Sequence, residues 1–156
     1  MLEGFAERVA SVTRVFIGIS ASVMCAIIIA EVFSRYIFQY SFFFSEELSR
    51  LTFVWAGFLS TSIALKKGMH ISIQFIVERM PKALRRIILF ISQLAILIFL
   101  IVIFLSGLRI LPHQWGNVSP TIEITMFWFY LAVPVGIGLM IIQLLPFISR
   151  TIKGDL

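Results

Sequence analysis

Five charged residues stand close together between long apolar runs: Glu31, Arg35, Glu46, Glu47 and Arg50. Glu31 and Arg35 are four apart, as are Glu46 and Arg50, so on a helix each pair shares one face. Carboxylates in such surroundings can do one of two things. Acidic groups within membranes often mark the path of a cation or proton. The same acids, each with an arginine one turn away, also make a neutralised ion-pair network that fixes a hairpin. The arginines are placed to cancel the acids, so the structural network is the expectation and the ion path the alternative. Ser45, Glu46 and Glu47 sit where a helix would begin, the serine as a cap and the carboxylates at the positive end of the dipole.

Other chemistry finds little support. His70 and His113 stand alone and outside the apolar runs, whereas a haem-binding bundle needs axial ligands inside the bilayer and a metal site needs clustered ligands. Cys25 is the single cysteine, which excludes an internal disulfide, a cysteine metal cluster and a paired-thiol oxidoreductase. No glycine-rich phosphate loop, nucleophile elbow or zinc-protease motif occurs. The chain is expected to be no enzyme and to hold no cofactor or metal.

The elements that must position these residues follow from composition. The 156 residues are 60% hydrophobic and 13% charged, with mean hydropathy +1.02. A soluble domain is about half apolar and about a quarter charged, and a small domain has too little interior for this surplus. Lipid is the simplest outlet. A helical span needs roughly 20 apolar residues. Ile87 to Leu108 and Ile124 to Ser149 carry no charge at all. Two further runs are charged only near one end, where the interface tolerates it. The expected fold is an all-α membrane protein with four transmembrane helices, near 12–36, 45–65, 85–109 and 124–149, in a single domain over 1–156. The first run is too long for a removable signal peptide, and no cleavage-site pattern follows it.

The net charge of +5 would suggest nucleic acid in a soluble chain. Here the cations lie between apolar runs and read as topology, so membrane lipids are expected partners and nucleic acid is not. Ten cations fall on the side shared by the termini and the middle loop, six of them in that loop. Only Arg35, Arg50 and Arg109 fall on the other side. Positive charge stays inside, which predicts both termini in the cytoplasm. Within the middle loop, Ile73, Ile76, Val77 and Met80 share one helical face, predicting a short interfacial helix there. Pro81 then suits the first turn of the third span.

On the second span Ala56/Ser60 and Gly57/Thr61 are small-xxx-small pairs, next to Trp55. Such pairs let helices approach closely, either within the bundle or against a partner, and the sequence leaves both open. Pro134, Gly136 and Gly138 would bend or loosen the fourth span. Tyr36, Tyr40, Trp55, Trp115, Trp128 and Tyr130 include plausible interface anchors.

Several stretches together resemble a known family. They are Glu31-Val-Phe-Ser-Arg-Tyr-Ile-Phe38, Ser45-Glu-Glu-Leu-Ser-Arg50, Phe53-Val-Trp55 and Lys67-Gly-Met-His-Ile71, with Pro81, Arg85, Ser119-Pro120 and Tyr130 to Pro134. Their order and spacing resemble the small membrane subunit of tripartite ATP-independent periplasmic (TRAP) transporters, over roughly residues 15 to 145. Phe44 departs from the tryptophan usual before Ser-Glu-Glu in that family. The resemblance marks Tyr36, His70, Pro81, Arg85 and Pro120 as motif positions without assigning them a role. It implies a multi-pass subunit of a bacterial inner membrane. Its partner would be a large polytopic subunit that carries substrate and sodium. A periplasmic binding protein would deliver an organic acid, such as a C4-dicarboxylate or sialic acid. The small subunit would extend the static scaffold and help dock the binding protein. Sodium coupling would lie in the large subunit.

The bottom-up reading agrees on one point: no unpaired charge lies mid-span. The competing reading is a self-contained homodimeric exporter, for which Glu31 is the one candidate carboxylate and Arg35 an argument against. A membrane enzyme or redox protein is the third, and it lacks the histidine and cysteine pairs.

Overall fold

A computed structural model describes residues 2–71 and 81–153. Among the described residues four helices are long and apolar enough to cross a membrane, as expected. They are α1 (Leu2–Ile37), α2 (Ser45–Ile71), α3 (Lys82–Ile110) and α4 (Phe127–Lys153), with a short 3₁₀ turn at Leu111–Gln114 after α3. The expected interfacial helix over Ile73, Ile76, Val77 and Met80 lies outside the described residues.

The limits differ from the expected spans for local reasons. α1 starts at Leu2, not near residue 12, because nothing in its first turns breaks a helix and Ala6, Ala10 and Thr13 bury one continuous stripe. Its 36 residues rise about 54 Å at about 1.5 Å each, well beyond a hydrocarbon core of about 30 Å. Pro81 sits just before the first turn of α3 and its carbonyl accepts the Arg85 N–H at 3.0 Å. α4 starts at Phe127, not at 124, because Ile124 and Thr125 are drawn into a small hairpin. Val118 and Thr125 form an antiparallel bridge, the Ser119 N–H donates to the Ile124 carbonyl at 2.9 Å, and the Met126 N–H donates to the Asn117 carbonyl at 2.7 Å.

The helices stand in the order α1, α2, α4, α3. α2 packs on α1 and α4, α4 packs on α2 and α3, and α1 touches α4 only lightly. This is an open array, not a closed bundle. α4 is its centre: 44% of its most apolar stretch is buried, against 6% in α1. Leu100 of α3 with Ile137, Met140 and Leu144 of α4 form the core, flanked by Leu97, Phe104 and Ile141. Side chains on the outward faces, such as Phe16, Ile29, Phe53, Ile98 and Phe99, remain more than half exposed. In a membrane those faces meet lipid or a partner.

The glycines of α4 are notches for neighbouring helices. A Cβ on Gly136 would lie 2.6 Å from Phe58 Cβ, and on Gly138 3.5 Å from the Phe104 ring. The chain therefore folds as two hairpins, α1–α2 and α3–α4. They meet along one seam between α2 and α4.

Candidate functional site

The five charged residues gather at one end of the array, beside loops 38–44 and 111–126, but not as one network. Glu31 is buried and closes the first hairpin. One carboxylate oxygen accepts from the Arg35 guanidinium at 2.9 Å and from the Ser41 hydroxyl at 2.5 Å. The other accepts the Phe42 N–H at 2.9 Å. Ser34 completes the turn by donating to the Tyr40 carbonyl at 2.8 Å, and Gln39 takes a left-handed conformation at φ 53°. A buried carboxylate with several donors is ordered by them, so this group fixes the loop between the two helices.

Glu46 and Arg50 pair at 2.6 Å on the outward face, where both are more than half exposed. Such exposed pairs contribute little. The contrast is testable. Glu31→Gln removes the charge that holds Ser41, Phe42 and Arg35, and loop 38–44 should be cleaved faster in limited proteolysis. Glu46→Gln should leave that rate as it is; equal rates in the two variants would contradict the assignment.

Glu47 turns away from both arginine pairs. It is buried, and its oxygens accept the backbone N–H groups of Thr121 at 3.2 Å and Ile122 at 3.0 Å. The hydroxyls of Ser119 and Thr121 lie against the same carboxylate. Two successive N–H groups converging on one carboxylate make a small anion nest. Glu47 thus ties the first hairpin to the loop of the second. The expected cap at Ser45 differs as well. The Leu48 N–H donates to the Phe44 carbonyl at 3.1 Å, which puts Ser45 inside the first turn, and its hydroxyl donates back to the Phe42 carbonyl at 2.7 Å.

Further contacts continue the seam below Glu47. Trp55 Nε1 donates to the Trp128 carbonyl at 3.1 Å. Phe58 fills the notch at Gly136. Gln143 Nε2 donates to Ser62 Oγ at 3.4 Å, with both residues almost wholly buried. Sequence reading missed Gln143 and Gln93, polar residues buried inside apolar helices. Their only signal was a glutamine within an otherwise apolar run. At the opposite end Arg86 donates to the carbonyls of Thr151, at 3.1 Å, and Ile152. A cation at the last carbonyls of α4 suits the negative end of its dipole.

The small residues of α2 divide between two faces. Ala56 and Ser60 are half-buried, while Gly57, Thr61 and Ala64 are exposed, and a Cβ on Gly57 would meet nothing within 4 Å. Of the remaining motif positions, Tyr36 is 81% exposed and Pro120 lies exposed in the hairpin turn. Arg85 is half-buried with an unpartnered Nε. The His70 side chain lies outside the described residues. Among the described residues no three His, Cys, Asp or Glu side chains gather to hold a metal. The geometry therefore joins and braces helices.

Comparison with known proteins places this architecture. The family described as "Tripartite ATP-independent periplasmic transporters, DctQ component" matches residues 24–154. The sialic acid TRAP transporter permease protein SiaT of Haemophilus influenzae is 30% identical over 70% of this chain. The isethionate TRAP transporter permease protein DctMQ of Oleidesulfovibrio alaskensis is 25% identical, also over 70%. In both, the match spans only 18% of the relative's own length. The C4-dicarboxylate TRAP transporter small permease protein DctQ of Rhodobacter capsulatus is 27% identical over 65% of this chain and 45% of its own. The chain belongs to the DctQ family of small permease subunits of tripartite ATP-independent periplasmic transporters, and is a multi-pass membrane protein.

Proposed function

We propose that this chain extends the static scaffold of a large transport subunit, which itself carries the substrate with sodium across a bacterial inner membrane. A periplasmic binding protein would deliver the substrate, an organic acid of the C4-dicarboxylate or sialic acid class, to the end bearing loops 38–44 and 111–126. Both termini would face the cytoplasm, a reading supported by the distribution of arginine and lysine.

The observation that carries this reading is the outward face of α2. Phe53, Gly57, Thr61 and Ala64 are exposed at spacings of four, four and three, so they form one stripe on the helix. Three of the four, Gly57, Thr61 and Ala64, are small residues in line, which a close helix–helix contact in a membrane needs, and they stay exposed among the described helices. The open array adds to this, since it presents apolar faces on both sides. The charged residues support a scaffold too. Glu31 is engaged by Arg35, Ser41 and Phe42, which removes the carboxylate that a self-contained exporter would need.

Gly57→Leu tests the reading. A Cβ at this position would meet no described residue within 4 Å, the position faces outward, and leaving glycine favours a helix by up to about 1 kcal/mol. The variant should therefore insert and melt like the parent, yet lose the large polytopic subunit on co-purification in mild detergent. Full retention of that subunit would remove this face from the interface.

A further inference from the structure

An apolar groove of about 630 Å³ runs along the face opposite that stripe. Its floor is Trp55 and Leu59 of α2, and its walls are α1, from Arg8 to Ser20, and α4 at Val135 and Leu139. Trp55 and Leu59 each lie two residues from Gly57, which is about 200° round a helix of about 3.6 residues per turn. The groove and the small-residue stripe therefore look in opposite directions.

The lining is apolar with one charge. Val12, Phe16, Leu59 and Leu139 supply bulky side chains, and two polar groups of the lining, on Thr13 and Trp55, are already engaged. Thr13 Oγ1 donates to the Val9 carbonyl at 2.8 Å and Trp55 Nε1 to the Trp128 carbonyl. Arg8, at one end, is the sole charged lining residue among those described, is exposed, and makes no ion pair with a described residue. We infer that the groove holds one acyl chain of a membrane phospholipid, with Arg8 on the phosphate.

Dimensions favour a lipid over a partner helix. The α1 wall rises about 18 Å from Arg8 to Ser20, close to the about 15 Å of hydrocarbon in one leaflet. An equal length of helix, about 10 Å across with its side chains, fills more than about 1,400 Å³, over twice the groove. The volume does fall within the about 300–1,000 Å³ of sites that take a single small molecule. Of the lining residues only Thr13 and Ser20 are small; seven residues apart, they make no small-xxx-small pair that would admit a helix backbone. A guanidinium with no carboxylate partner among the described residues, placed where apolar lining ends, matches a phosphate in charge and in hydrogen-bond geometry.

The test uses the protein purified from membranes with its partner subunits, loaded from mixed micelles and weighed by native mass spectrometry. The probes are phosphatidylglycerol and diacylglycerol, which share acyl chains and differ in the phosphate. The parent should retain one phosphatidylglycerol about tenfold more strongly than diacylglycerol, the factor that one charge-assisted contact carries. Arg8→Gln, an exposed position outside the core, should abolish that preference, and Arg8→Lys should restore most of it. Leu139→Trp, which fills the groove, should lose both lipids. Equal retention of the two lipids by the parent, or unchanged retention by Leu139→Trp, would overturn the inference. So would a photo-cross-linker at Leu139 that captures the large subunit in place of lipid.

Discussion

Glu47→Ala should free the loop between α3 and α4 from α2, with cleavage within residues 115–126 rising about tenfold in limited proteolysis, the factor that one lost charge-assisted hydrogen bond carries. The reason is the donor set. Thr121 and Ile122 present consecutive N–H groups to one buried carboxylate, and Ser119, buried beside them, adds its hydroxyl. Alanine leaves these donors without an acceptor. Glu47→Gln should fall between, because its amide oxygen can accept from one N–H while its NH₂ group faces the other. The hairpin bridge at Val118 and Thr125 remains in both variants, so the loop should loosen as a unit. If Glu47→Ala were cleaved at the parent rate, the carboxylate would not be what holds the loop.

Gly136→Val should be the most damaging change in the transmembrane region, lowering stability by about 3 kcal/mol. A Cβ there lies 2.6 Å from Phe58 Cβ, 3.1 Å from its carbonyl oxygen and 3.2 Å from its carbonyl carbon. The obstacle is therefore the backbone of α2 and the root of the side chain, not the ring. Phe58→Ala should consequently fail to rescue Gly136→Val, because alanine keeps the Cβ and the carbonyl. Gly138→Ala meets only the edge of the Phe104 ring at 3.5 Å, an ordinary contact, and should melt with the parent. Thermal unfolding of the variants in detergent reads all of this. Rescue by Phe58→Ala would mean that the ring alone had been displaced.

Sequence alone makes some of this legible. The four apolar runs announce the helices because the bilayer fixes their length. The Glu31–Arg35 and Glu46–Arg50 pairs can be read from their spacing, since four residues make a turn whatever the tertiary fold. Glu47 could not be read the same way. Its acceptor sites meet backbone N–H groups 74 and 75 residues later, and a backbone donor leaves no trace in residue type. The two glycines with the clearest signals divide by position. Gly57 looks like a packing residue and faces outward, while Gly136 looks like a kink and lies closer to a neighbouring helix than any other described glycine. Composition shows that small residues are present, not which side of the helix another helix occupies. The start of α1 was missed for a simpler cause: hydropathy locates the part of a helix inside lipid and is silent about the turns beyond it.

The seam between α2 and α4 also has a consequence for the order in which the protein is made. α1 with α2, and α3 with α4, are neighbours in sequence, and each pair can form as it leaves the insertion machinery. α2 and α4 are not neighbours, and they run in the same direction. The contacts that α2 makes with the second hairpin at Glu47, Trp55, Phe58 and Ser62 can be made only after that hairpin has entered the bilayer. Insertion and assembly are then separate steps. A lesion on the seam should leave a chain with every span in place and the correct sidedness, held as two unjoined hairpins, a form that membrane proteases rather than the insertion machinery would have to clear.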